Sequence, residues 1–195
     1  MKMTRPICVA ALICALSCAL GAAFARVVDK DSELVNAVLT GNLDNVEKHL
    51  RRGAFVNTKS PDSKPVLLIA IENDRPDIAE VLIAKGANVN FADSGGNTPL
   101  MIAAKKGQEG MVKLLLSKGA NPNTQQSNIK SVYASDNRTP IMFAAEGGNP
   151  GIVKMLIAKG ANLNKKGRDG KTALMIAEEK DFSDIVDILK KAGAK

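Results

Sequence analysis

The chain has 195 residues, a formal charge of +7, 45% hydrophobic residues, five Phe, one Tyr and no Trp. That apolar share is ample for a packed core and excludes a disordered or low-complexity chain. All three cysteines, Cys8, Cys14 and Cys18, fall within the first 25 residues. If that segment is removed, no disulfide, thiolate nucleophile or cysteine-based zinc site remains.

Residues 1–25 have the layout of a secretory signal peptide. Lys2 and Arg5 form a positive start, an uncharged apolar run extends from Ile7 to Ala23, and Ala23-Phe24-Ala25 is an A-x-A cleavage site, with the cut placed after Ala25. An apolar run of this length also approaches the lower bound for a membrane-spanning helix. The small-residue exit favours cleavage over an uncleaved anchor. Without Lys2 and Arg5 the charge falls to +5, a mildly basic surface that does not by itself argue for nucleic acid.

The rest of the chain, 26–195, reads as one domain with an internal period. Gly-Ala-Asn recurs at 86, 119 and 160, with Gly53-Ala54 before it and Gly193-Ala194 after, giving spacings of 33, 33, 41 and 33. Ahead of each glycine lies an apolar helix face: Ile78, Leu82 and Ile83, then Met111, Val112, Leu115 and Leu116, then Ile152, Val153, Leu156 and Ile157, then Ile185, Val186 and Leu189. Glycine past the last turn stops each helix in the left-handed conformation. A shorter helix precedes each of these, opened by Thr98-Pro99-Leu100, Thr139-Pro140-Ile141 and Thr172-Ala173-Leu174, with threonine as N-cap and proline at the first helical position. Gly107 and Gly148 break the chain between the two helices, with Gly41, Asp74 and Asp181 at the matching places.

The period, the T-P-L start, the Ala103-Ala104 and Ala144-Ala145 pairs and the Gly-Ala-x-x-Asn ending resemble the ankyrin repeat. The resemblance covers residues 27–195 as five repeats: about 27–57, 58–90, 91–123, 124–164 and 165–195. It implies an all-α solenoid of helix-turn-helix pairs joined by β-hairpin loops. One departure is the family's histidine after T-P-L, replaced by Met101, Met142 and Met175, with Leu68 and Val35 earlier. Its hydrogen bonds are expected to be lost and replaced by apolar packing. Lys48 and Lys190 interrupt apolar rows at the two ends, as capping repeats require. His49, which stands in a row otherwise filled by leucine, reads as a structural residue of the capping face.

Three motifs tempt another reading. Gly167-Arg168-Asp169-Gly170-Lys171-Thr172 resembles the end of a phosphate loop, but Lys165 stands where its first glycine belongs and no apolar strand precedes it. A hairpin tip explains the same residues. Asp29, Asp31 and Glu33 alternate as in a calcium loop but lack its glycine and distal glutamate, and an acidic first helical turn accounts for them. Asn137-Arg138-Thr139 is a formal glycosylation sequon in which Asn137 holds a left-handed hairpin position. No catalytic, cofactor or metal site is expected.

Eight extra residues lie in the hairpin of the fourth repeat, within Asn123 to Arg138, and include Tyr133 with Ile129 and Val132. Insertions in repeat proteins map to loops, often on the binding face, and Tyr is enriched at interface hot spots. The resemblance implies a concave binding surface of hairpin tips and first helices. It places Lys105, Lys106, Tyr133, Arg138, Glu146, Arg168, Lys171 and Lys180 there as candidate partner-contacting residues. Asp29, Asp31, Asp62 and Glu72 against Lys64 would make the groove acidic toward the N-terminus and weakly basic toward the C-terminus. Such mixed charge suits a protein partner rather than nucleic acid. The expectation is a monomeric, non-catalytic interaction module in the bacterial periplasm, without membrane association after cleavage, that scaffolds or protects a protein. An immunity protein or inhibitor, or a secreted effector acting on a host protein, is the alternative.

Overall fold

The computed structural model describes residues 30–127 and 136–195. Ten helices run through them in chain order: α1 (30–39), α2 (Leu43–Arg51), α3 (Val66–Glu72), α4 (Pro76–Ala84), α5 (Pro99–Lys105), α6 (Glu109–Ser117), α7 (Pro140–Glu146), α8 (Pro150–Ala158), α9 (Ala173–Glu179) and α10 (Ser183–Lys191). The odd-numbered helices form an inner layer, with α3 against α5, α5 against α7 and α7 against α9. The even-numbered ones form an outer layer behind them. The result is an all-α repeat solenoid. The described core is one continuous cluster from Leu34 to Leu189.

Each inner helix is short, so its ends decide whether it forms. Thr98 Oγ1 accepts the N–H of Met101, and Thr172 Oγ1 that of Met175, both at 3.4 Å. The methionines correct the expectation that bonding is lost with the histidine. The N–H of Thr98 donates to Met101 Sδ at 3.4 Å, and that of Thr139 to Met142 Sδ at 3.5 Å. Sulfur is a weak acceptor. It nevertheless gives the buried N-cap N–H a partner while the thioether fills the core, where Met101 and Met142 are at most 1% exposed. Met175, in the last repeat, is 42% exposed because no further inner helix covers it.

The two helices of a repeat are joined at a left-handed residue: Gly41, Asp74, Gly107, Gly148 or Asp181. At Gly148 the glycine is also sterically required, since a Cβ would come within 2.8 Å of the Phe182 ring of the next repeat. Each hairpin closes on a backbone bond, and in the 58–66 hairpin the N–H of Val66 also donates to the carbonyl of Thr58 at 3.1 Å. Ser60 donates to Lys64, Asp93 to Asn97, Gln126 to Arg138 and Gly167 to Lys171, at 2.9–3.1 Å. The only strand-like pairing among the described residues is the isolated bridge between Lys59 and Pro65. The hairpin loops are thus short and form no extended strand among the described residues.

Asparagines stitch consecutive repeats together. The N–H of Asn88 donates to Asn57 Oδ1 (2.7 Å), Asn121 to Asn90 (2.9 Å), Asn162 to Asn123 (2.7 Å) and Lys195 to Asn164 (2.8 Å). At the N-terminal end Asp31 Oδ1 takes the place of asparagine and accepts the N–H of Phe55 at 2.8 Å. This bond accounts for Asp31 without a metal. His49 is buried, with Nδ1 3.0 Å from Glu33 Oε2 but not aligned for a hydrogen bond. Lys48 and Lys190 are exposed.

Candidate functional site

The hairpins fold back over the inner helices, which brings residues eight apart in sequence into contact. Lys64 pairs with Glu72 at 2.6 Å, Arg138 with Glu146 at 2.9 Å and Lys171 with Glu179 at 2.7 Å. In the third repeat the same two positions are Asn97 and Lys105, which cannot pair, and in the first they are Asp31 and Leu39. Beneath this row lies an apolar floor of Ile69, Ile102, Phe143 and Ile176.

The pairing changes what the candidate residues can do. Arg138, with its side chain 19% exposed, also lies 4.0 Å from Asp136 and 3.9 Å from Asp169 in the next hairpin. Burial lowers its pKa, but Glu146, Asp136 and Asp169 together outweigh this and raise it. Arg138 is thus a clamp between the fourth and fifth repeats, and Glu146 and Lys171 are likewise committed to partners within their own repeats. Lys106 donates to the carbonyl of Glu72 and pairs with Asp74, both at 2.9 Å. Its hydrogen bond and that of Gln108 hold the Asp74 carboxyl below its ordinary value. Arg75 does the same for Asp77. Lys105 is exposed, and its ammonium lies 5.9 Å from the centroid of the Phe143 ring, within cation–π range. Arg168 and Lys180 are exposed, the first with its N–H donating to the carbonyl of Asp136 at 2.8 Å and the second as C-cap of α9.

The graded charge expected along the groove is therefore mostly cancelled locally, and two features stand out instead. Lys105 places a positive charge mid-groove in a row otherwise held by Glu72, Glu146 and Glu179. At the N-terminal end that row holds Leu39, 53% exposed, beside a cavity of about 510 Å³ lined by Asp31, Val35, Leu39, Thr58, Lys59 and Pro61. The sequence reading missed both Leu39 and the ion pairs. The signal was present, because 64/72, 138/146 and 171/179 share one offset at matched repeat positions.

The roots of the long hairpin are fixed. Gln126 Nε2 donates to Asn97 Oδ1 at 2.7 Å, and Lys165 Nζ to Gln125 Oε1 at 2.9 Å. Gly96 packs so tightly on Ser127 that a Cβ there would meet its backbone at 2.4 Å. Tyr133, Ile129 and Val132 lie outside the described residues, as do Cys8, Cys14, Cys18 and the cleavage residues Ala23 and Ala25. Asn137 has φ 54° and Gly170 φ 78°, so both hold the left-handed tip position. Among the described residues no group of three His, Cys, Asp or Glu is placed to hold a metal ion, and no helix is long and apolar enough to cross a membrane.

This architecture is the one the repeat pattern implied. The family model for ankyrin repeats in three copies matches residues 34–126 and again 124–195. The chain belongs to the ankyrin-repeat family, whose members are generic protein–protein interaction modules. A comparison with curated proteins found no match.

Proposed function

We propose that the chain is a non-catalytic binding module, exported to the periplasm with loss of residues 1–25, whose groove holds one folded protein partner as a scaffold or shield. The observation that carries this reading is the exposed Leu39 beside its open cavity, in a groove whose other charges are mostly paired. An apolar anchor point next to satisfied polar groups is what a protein interface uses. Lys105 adds an exposed positive charge that forms no ion pair among the described residues and suits an acidic side chain of the partner, and Tyr133 a further anchor from the long hairpin.

The test is affinity capture with tagged protein from the periplasmic fraction, followed by titration of the captured partner against variants. Leu39→Asp and Tyr133→Ala should each weaken binding by about 2 kcal/mol, the scale of an interface hot spot. If neither changes affinity, the partner does not use this groove. N-terminal sequencing of the exported form should begin at Arg26, and an intact Met1 form held in the membrane would remove the export reading.

A further inference from the structure

The outer helices carry a regularity that the groove does not use. α2, α4, α6 and α8 end on the basic C-caps Arg52, Lys85, Lys118 and Lys159. All four are exposed. Lys64, Lys106, Arg138, Lys171 and Lys190 sit in ion pairs, yet none of these four does among the described residues. A cation complements the negative end of a helix, which accounts for each one singly. It does not account for what surrounds them. The next residue in every case is a left-handed glycine, Gly53, Gly86, Gly119 or Gly160, with open space where a Cβ would stand. The glycines add no side chain of their own there, and the uncharged amides of Asn90 and Asn123 donate to the carbonyls of Gly119 and Gly160 at 3.2 and 2.9 Å. Packed helices lie about 8–10 Å apart, close to the screening length of about 8 Å at physiological salt, so the four potentials overlap along one edge of the stack.

The acidic groups at the N-terminal end of the stack have partners of their own. Glu47 pairs with Arg51 at 3.0 Å, Glu33 lies against His49, and Asp31 accepts the N–H of Phe55. Glu80 and Asp187 lie further back along the outer helices, in a row they share with Glu47, Lys113 and Lys154. At the N-terminal end of the edge, three residues after Arg52, Phe55 is 60% exposed. It stands in the register of Asn88, Asn121 and Asn162, where every other repeat but the last, with Lys195, has asparagine. Its ring is left mostly to solvent.

We propose that this edge is a contact for an anionic lipid surface, with Arg52, Lys85, Lys118 and Lys159 laid against the headgroups and Phe55 entering the headgroup boundary. Basic side chains beside an exposed aromatic are the composition of an interfacial contact. A soluble polyanion would have no use for Phe55. The contact is peripheral and needs no spanning helix, and it differs from the sequence reading, which expected no membrane association after cleavage. Its four cations lie on the outer helices, away from the groove, whereas Phe55 is tied through its backbone to Asp31 and Thr58, which line the Leu39 cavity.

The test is co-sedimentation of residues 26–195, which contain the whole described core, with vesicles of phosphatidylcholine alone or mixed with phosphatidylglycerol. Binding should require phosphatidylglycerol and fall steeply with salt. Each basic residue near an anionic surface contributes roughly fivefold in partitioning, so changing all four to Gln should weaken it on the order of several hundredfold. Phe55→Asn restores the side chain of the other repeats, leaves the fold intact by circular dichroism, and should weaken binding roughly tenfold. Absence of phosphatidylglycerol-dependent binding overturns the proposal, as does full binding by the four-Gln variant. So does a Phe55→Asn protein that binds vesicles unchanged while polyphosphate competes completely, because the edge would then be an anion site and not a lipid contact.

Discussion

Deleting residues 128–135 should leave a folded, slightly more stable protein. The closing bond from Gln126 to Arg138 stands where Ser60–Lys64, Asp93–Asn97 and Gly167–Lys171 close the other hairpins. Those hairpins enclose three residues, ending in left-handed Ser63, Gly96 and Gly170. The deletion leaves Ser127, Asp136 and Asn137 between Gln126 and Arg138, and Asn137 already has φ 54°. Shortening the enclosed loop from eleven residues to three lowers the closure entropy by ~1 kcal/mol, since each doubling costs about 0.6 kcal/mol. For a domain of this size that is a rise in Tm of about 2–4 °C. Thermal unfolding of residues 26–195 with and without the deletion measures it directly. A fall of several degrees would show that residues 128–135 make stabilising contacts and that the hairpin roots do not close unaided.

Met101→Ala should cost about 2–5 kcal/mol in urea unfolding, as for other large-to-small changes in a core, because it opens a cavity and removes the sulfur acceptor of Thr98. The same change at the exposed Met175 should cost about 0.5 kcal/mol or less, and equal losses at both sites would refute the role given to burial. Lys105→Glu should slow association with the partner and alter its salt dependence while leaving stability unchanged. Arg138→Gln should instead destabilise the fold by roughly 1–3 kcal/mol, since Glu146, Asp136 and Asp169 lose their common cation. The Asp74 and Asp77 carboxyls are held below their ordinary value of 3.8 by Lys106 and Arg75. Their stabilising effect is thus full above that pH and is lost as pH falls through the lowered values. Asp74→Asn and Asp77→Asn should each flatten the decline in stability below pH 3.8, whereas an unchanged acid limb would show that these pairs are not formed in solution.

Much of the fold is legible because each repeat restates it. The left-handed breaks at Gly41, Asp74, Gly107, Gly148 and Asp181 are visible as one column of small or turn-forming residues, and the threonine caps as another. What escaped the sequence reading depends on contacts that no single element's periodicity encodes. Residues eight apart, as Arg138 and Glu146 are, would lie roughly 12 Å or more apart along a helix or strand, and they meet only because a hairpin doubles back between them. The methionines read as apolar, so their second role as acceptors for N-cap N–H groups was invisible until the helix start was built. Lys105 and Lys106 are adjacent in sequence, yet the helix turns one toward the groove and the other toward Asp74. The C-cap cations look like four separate helix endings until the stack aligns them.

The asparagine bonds between repeats also bear on how such a chain can change length. Asn57, Asn90, Asn123 and Asn164 each reach forward to an N–H of the next repeat, so every internal repeat supplies one acceptor and consumes one. A duplicated unit cut at that period arrives with both halves of the bond, and both junctions close without orphaned groups. A duplication out of phase leaves a donor unmatched at one seam and an acceptor at the other. Growth by gene duplication is therefore quantised in whole repeats, and among the described residues only the bond from Phe55 to Asp31 stands outside the rule.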